Sequence, residues 1–302
     1  MNIMVKTINK FPVIQLEDIL SSDELIKESL DLIGCLVIQN SEIDDEKIEF
    51  GYNLMSSFFS LDNLTKQKYS FKKIDQKKYS DIGYFPFKTE IAVNQKIPDL
   101  KEMFHIGRDF KNSSLYATNF FPSEIQGFET FFTTLFNEFE IIGNKVFQGL
   151  TKNLPLKNSY KSELLSNNNS LLRLIHYPPC DNNYEKGMRA APHTGIQLLG
   201  IQPKASSEGL EFYSKKLGWF RFPKLENCII INIGEMMSYI SNKHFQPTLH
   251  RVSNASYDKS RQAIVHFFHP NSEIDLVNIE NNTSVKSGEW LIKRLKEIGV
   301  YK

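Results

Sequence analysis

The sequence predicts an α+β chain, mainly β in its second half, in which helices wrap a sandwich or barrel of short strands. Two observations carry this. From about residue 166 onward, short apolar runs succeed one another and are closed by Asn, Gly and Pro turns. Before that point the apolar residues recur mostly at helical spacing. A hydrophobic content of 41% with 24% charged residues is ordinary for a chain that buries a sizeable core.

The elements follow in order. Phe11 to Leu16 reads as a short first strand, and Ser21-Ser22-Asp23-Glu24 offers a capping box ahead of Leu25, Ile26, Leu30 and Ile33. Gly34 ends that helix, Cys35 to Ile38 is a buried strand, and a second helix runs from about Asp44 to Phe59. From Lys72 to Asn119 the pattern loosens into a loop-rich aromatic stretch, in which Phe85, Phe87, Met103, Phe104 and Phe120 form either an apolar lid or core. The clearest helix spans about Pro122 to Leu150, where Ile125, Phe128, Phe132, Leu135, Phe139, Ile142, Val146 and Leu150 make one scaffold stripe.

After the turn at Asn167-Asn168-Asn169, strands are expected at Leu171 to Pro179, Gly195 to Ile201, Leu210 to Tyr213, Trp219 to Phe222, Ile229 to Ile233 and Gln262 to Phe268. A last amphipathic helix, Gly288 to Ile298, is expected to cover an outer face. The organisation is a single domain over 1–302: a helical and loop-rich part at 1–165, a β core at 166–275 and a helical extension at 276–302.

Charge narrows the partners. Thirty-six basic and 35 acidic residues are spread along the chain for a net charge of +1, which argues against a nucleic-acid or membrane surface. The start, Met1 to Leu16, has no long apolar core, and no apolar run approaches a membrane span, so a cytoplasmic protein is expected. Cys35, Cys180 and Cys228 are too few and scattered for a disulfide framework; Cys35 and Cys228 read as small core residues.

The chemistry lies in Ala191-Pro192-His193-Thr194-Gly195, Thr248-Leu249-His250-Arg251-Val252 and Ser260-Arg261-Gln262-Ala263. With Phe11-Pro12-Val13-Ile14, Asp99-Leu100-Lys101-Glu102, Leu172-Arg173-Leu174-Ile175-His176-Tyr177-Pro178-Pro179 and Ile231-Asn232-Ile233-Gly234-Glu235-Met236, they make the chain resemble the isopenicillin N synthase-like branch of the Fe(II)/2-oxoglutarate dioxygenases. The resemblance implies a double-stranded β-helix (jelly roll), Fe(II) on His193 and His250, and 2-oxoglutarate beside it. It also implies that Arg261 forks onto the distal carboxylate and that Tyr177 lines the same pocket. Two residues after that arginine the family normally has Ser or Thr; here Ala263 stands instead. His105, His176, His244, His266 and His269 read as core or surface histidines, and Lys88, Arg108 and Arg189 as surface cations that could meet an anionic substrate group.

One position departs from the usual pattern. Such iron sites take two histidines and a carboxylate, and the carboxylate stands two residues after the first histidine. Here that residue is Gly195, which has no ligand atom. Three readings follow. In 2-oxoglutarate halogenases that the chain resembles, Gly or Ala leaves the iron position to chloride, and aliphatic C–H bonds are chlorinated; this reading comes first. The second keeps iron on two histidines, with O2 driving hydroxylation, desaturation or cyclisation. The third is a non-catalytic binding protein. A small-molecule substrate of secondary metabolism, free and not carrier-bound, is expected for the enzyme readings.

Overall fold

The apolar stripe near residues 122–150 becomes the longest helix of the computed structural model, α4 (Phe128–Thr151). The structure describes residues 5–71, 81–92, 95–110, 113–180, 187–253 and 258–299. Helix α4 begins later than the stripe because Gly127 sits in the left-handed region, φ 82°, and residues 122–125 close a turn through Ile125 N–H and Pro122 O. Phe128, Phe132, Phe139 and Val146 are wholly buried.

Two sheets form the body. The larger runs β2 (Ile14–Gln15), β3 (Cys35–Gln39), β11 (Cys228–Ile233), β8 (Leu199–Pro203), β13 (Arg261–Phe268), β6 (Leu171–Tyr177), β5 (Glu102–Gly107) and β4 (Gly83–Phe85). The smaller runs β1 (Lys6–Thr7), β10 (Gly218–Arg221), β9 (Leu210–Ser214), β12 (His250–Val252) and β7 (Ala190–His193). Pairs along both sheets are mostly antiparallel, the exceptions being β1 with β10 and β2 with β3. This is the mixed α+β, double-stranded β-helix architecture expected of the chain.

Helices cover the outer face of the larger sheet. Helix α2 (Asp45–Phe59) packs on β6 and β13, and α4 packs on β8 and β13. Gly143 allows α4 to come close, because a β-carbon there would lie 2.6 Å from the Phe268 ring. The period-2 rule then divides each central strand: Leu172, Leu174, Ile264 and Phe268 face the helices, whereas Arg173, Ile175, Tyr177, Arg261, Ala263 and Val265 face a cavity between the sheets. Around this body lie α1 (Asp23–Ile33), α3 (Asn63–Lys68), α5 (Asn158–Leu165), α6 (Glu235–Ile240), the hairpin β14 (Asp275–Val277) and β15 (Ser284–Lys286), and α7 (Ser287–Glu297).

Several expectations are corrected. No capping box starts α1: Ser22 Oγ donates back to Asp18 O instead, although Gly34 at φ 70° does end the helix. The strand expected at Gly195 to Ile201 begins only at Leu199. Residues 194–198 cross from one sheet to the other, and the carbonyls of Gly195 and Ile196 accept from Glu235 and Met236 N–H at 2.8 and 3.3 Å. The aromatic stretch holds two strands, β4 and β5; residues 72–80, 93–94 and 111–112 lie outside the described residues. Phe85, Met103 and Phe104 are core and not lid, with Phe85 stacked on Phe71 at 4.2 Å, while Phe87 is half-buried and Phe120 exposed. Helix α7 is not confined to an outer face, since Leu291, Arg294 and Leu295 border the cavity.

Candidate active site

The two histidines expected to bind metal are cross-strand partners. His193 ends β7, His250 begins β12, and the register sets them directly opposite, with ring centroids 4.3 Å apart. Each ring is oriented by its own strand. His193 Nδ1 lies 2.7 Å from Ala191 O, and His250 Nδ1 lies 3.0 Å from Thr248 O. A carbonyl oxygen only accepts, so Nδ1 carries the proton in both and donates, leaving each Nε2 lone pair free. Burial holds both rings neutral: His193 is lowered to about 4, with the Lys101 charge adding to burial, and His250 to about 3, with His193 adding to it. Two neutral imidazoles with fixed tautomers are what a divalent transition metal needs.

The rings open into a cavity of about 340 Å³, within the range of small-molecule clefts. Arg261, 2% exposed, reaches it from the first position of β13. Its Nε donates to Ser207 O at 3.1 Å and its guanidinium lies over the Tyr177 ring, 5.1 Å from the centroid. Its Nη1 is buried without a hydrogen-bond partner. An unsatisfied buried guanidinium N–H costs about 1–3 kcal/mol, which an anionic ligand in the cavity would recover. A carboxylate suits that fork, and Ala263, two residues along on the same face, adds no hydroxyl to it. Tyr177 stands opposite Arg261 in the β6–β13 register and lines the cavity.

Position 195 is not open space. A β-carbon added to Gly195 would lie 2.2 Å from Gln197 Nε2 and 2.7 Å from its Oε1. The same Nε2 would lie 2.8 Å from a β-carbon on Gly200. Two glycines therefore clear a slot that the buried Gln197 amide occupies. The nearby Glu235 carboxylate is engaged elsewhere, accepting from Thr194 Oγ1 at 2.6 Å and Arg294 Nη2 at 2.9 Å.

A buried charge cluster borders the histidines, and its role was not read from the sequence. Lys101 Nζ lies 2.9 Å from Asp99 Oδ2 and 3.2 Å from Glu90 Oε1, and Arg173 Nη1 lies 2.9 Å from Glu90 Oε2. Burial opposes ionisation of Glu90, yet the Arg173 and Lys101 cations override it and hold the carboxyl well below its usual range. Asp99 Oδ1 also accepts from Ala191 N–H at 3.0 Å, bracing the strand that aims His193. A usable signal was Arg173 and Tyr177 alternating with leucines in Leu171–Tyr177, which marks a polar interior face.

The other polar residues singled out in the sequence have their own places in the fold. His105, His176 and His266 bond Asp81 O, Glu102 and Glu140, His244 is exposed, and His269, buried, borders the cavity. Arg108 pairs with Glu140, Arg189 is buried and donates to Lys259 O, and Lys88 is exposed. Cys35, Cys180 and Cys228 are all buried. Among the described residues no group of three or more His, Cys, Asp or Glu side chains is placed to hold a metal ion, and no helix is long and apolar enough to cross a membrane.

Comparison with known proteins finds similarity to non-haem oxygenases in both sequence and fold. Residues 168–270 match the 2OG-Fe(II) oxygenase superfamily, and residues 11–124 match the N-terminal region of non-haem dioxygenases in morphine synthesis. The chain is 25% identical to a Dictyostelium discoideum protein named as an iron/ascorbate oxidoreductase, covering 94% of this chain and 89% of that one. It is 23% identical to gibberellin 20 oxidase 4 of Arabidopsis thaliana, over 86% of this chain and 70% of that one. A crystal structure of a 2OG-Fe(II) oxygenase family protein from Caulobacter crescentus superposes with a TM-score of 0.80 at 26% identity, covering 96% and 99% of the two chains. Neurospora crassa T7H, in complex with α-ketoglutarate and thymine, shares the fold with a TM-score of 0.78 at 21% identity, covering 97% and 99%.

Proposed function

Because the chain belongs to the 2OG-Fe(II) oxygenase superfamily and is an Fe(II)- and 2-oxoglutarate-dependent oxidoreductase, we propose that it oxidises a free small molecule, by hydroxylation, desaturation or cyclisation, with iron held by His193 and His250. The observation that carries this is the pair of cross-strand imidazoles, each with Nδ1–H spent on its own strand and Nε2 turned free, in the same cavity as the unsatisfied Nη1 of Arg261. Iron, O2 and 2-oxoglutarate supply C–H oxidation with release of succinate and CO2. The protein's own part is positional. His193 and His250 present neutral donors, Arg261 anchors the distal carboxylate of the co-substrate over Tyr177, and apolar Ile175, Val252 and Val265 exclude water from the rest of the cavity. The gibberellin oxidase and the thymine complex among its relatives support a small-molecule substrate. On this reading the chain acts in the cytoplasm as one domain over 1–302, with 1–165 and 276–302 buttressing the 166–275 core.

Chlorination is the second reading. Gly195 supports it, because no carboxylate claims the ligand position and a halide would restore both a donor and a negative charge. The Gln197 amide in the same space weighs against it. An anaerobic titration with Fe(II) and 2-oxoglutarate, followed by the visible metal-to-ligand charge-transfer band, separates the readings. We expect a band indifferent to chloride, and succinate production once air is admitted. A band that moves with chloride, and not with a non-coordinating anion, transfers the assignment to chlorination; no band at all removes the enzyme reading.

A further inference from the structure

The missing carboxylate leaves the metal site one protein donor short, and the cavity's own carboxylates do not replace it. Glu90 is held by Lys101 and Arg173, Asp99 by Lys101 and Ala191 N–H, and Asp81 Oδ2 lies 3.7 Å from His105 Nδ1. What stands in the vacated place is an amide. Gln197 Nε2, Oε1 and Cδ would all lie within 2.8 Å of a β-carbon on Gly195, so the whole terminal group occupies the root of a side chain at that position. Gln197 is 3% exposed and borders the cavity together with both histidines.

Two glycines thus clear a slot that holds this amide on the wall of the cavity the histidines share, at the position from which a side chain of residue 195 would start. A half-turn about the last side-chain torsion exchanges its nitrogen and oxygen, bringing the oxygen to the position nearest Gly195. We propose that Gln197 is the third protein donor at the metal, its amide oxygen serving where the family's carboxylate would. This rests on the iron-binding reading above. It deepens that reading by assigning a neutral ligand set of two imidazoles and one amide, so that the anionic 2-oxoglutarate carries the compensating charge and metal and co-substrate bind with strong mutual dependence.

The test uses the full chain, anaerobic Fe(II) titration for the metal Kd, and the charge-transfer band with 2-oxoglutarate as a spectroscopic readout. Gln197→Ala should weaken Fe(II) by at least the roughly ten- to hundredfold seen when even an outer-shell partner of a metal ligand is lost, and should shift the band. Gln197→Glu, which keeps the length and adds charge, should bind Fe(II) more tightly than the wild type. Circular dichroism confirms folding of each variant, and if Gln197→Ala does not fold, the Gln197→Glu affinity decides alone. Gly195→Asp should weaken metal unless Gln197 is shortened as well, because the new β-carbon and the amide claim one space.

Equal Fe(II) affinity and an unmoved band in Gln197→Ala and Gln197→Glu would overturn the assignment. So would a Gln197→Ala protein with unchanged affinity whose band now follows chloride, since the amide would then be a plug over a halide position. A wild type that binds neither Fe(II) nor 2-oxoglutarate removes the underlying reading; a wild type that binds both, beside indifferent Gln197 variants, removes this one alone.

Discussion

Replacing Arg261 by Met tests the co-substrate anchor most directly. Methionine keeps apolar bulk over Tyr177 and removes the guanidinium whose Nη1 is buried and unsatisfied. Hydrogen bonds to a charged group are worth about 1.5–3 kcal/mol each, and truncating one partner of a buried charged pair costs about 2–5 kcal/mol. At 1.4 kcal/mol per decade, the 2-oxoglutarate Kd should rise by roughly thirty- to several-thousand-fold. The charge-transfer titration measures it. A second ligand isolates the cause: 2-oxobutyrate keeps the metal-chelating keto acid and lacks the distal carboxylate, so it should bind the wild type and Arg261→Met about equally. If the variant bound 2-oxoglutarate within about threefold of the wild type, under 1 kcal/mol, or if it lost 2-oxobutyrate to the same extent, the anchoring role would be refuted.

Ala263→Ser puts a hydroxyl on the same cavity face as Arg261; one added hydrogen bond of about 0.5–1.5 kcal/mol should lower the 2-oxoglutarate Kd by about three- to tenfold in the same titration. Glu140 predicts an acid limb in stability. Burial opposes its ionisation, but the His266 hydrogen bond and the charges of His266 and Arg108 lower it to about 2 from an ordinary 4.5. Its contribution is present above pH 4.5 and disappears as pH falls toward 2, about 3 kcal/mol in all, so urea unfolding across that window should flatten in Glu140→Gln. Gly143→Ala drives a methyl into the Phe268 ring and should cost about 1–3 kcal/mol by thermal unfolding, with Fe(II) affinity unchanged.

The sequence made the helices and most strands legible because their periods are long and clean: Ile229 to Ile233 and Gln262 to Phe268 lie where expected, and the phenylalanine stripe of α4 does too. It hid what depends on tertiary pairing. Strands β4 and β5 carry aromatic and charged residues in no simple alternation, since Tyr84 and Phe104 pack on Phe58 of α2 while Glu102 and His105 are buried on the polar partners Lys66 and Asp81 O, and the bend at 194–198 is held by the start of α6 some 40 residues later. The site residues His193, His250, Arg261 and Tyr177 were named from motifs, and they border one cavity. The fate of Gly195 was not legible. A glycine in a motif reads as an absence, and only the fold brings the side chain of Gln197 back over it.

The carbonyls that orient His193 and His250 belong to Ala191 and Thr248, each two residues upstream on the same strand. Aim and tautomer are thus inherited within two tripeptides, Ala191-Pro192-His193 and Thr248-Leu249-His250. Nothing at position 195 enters either one. On the iron-binding reading proposed above, the third donor can therefore be changed, by substitution or by use of a neighbour such as Gln197, without disturbing what aims the imidazole pair. The fold separates the parts that aim the two rings from position 195, so reactivity can be altered at the third position without rebuilding the other two.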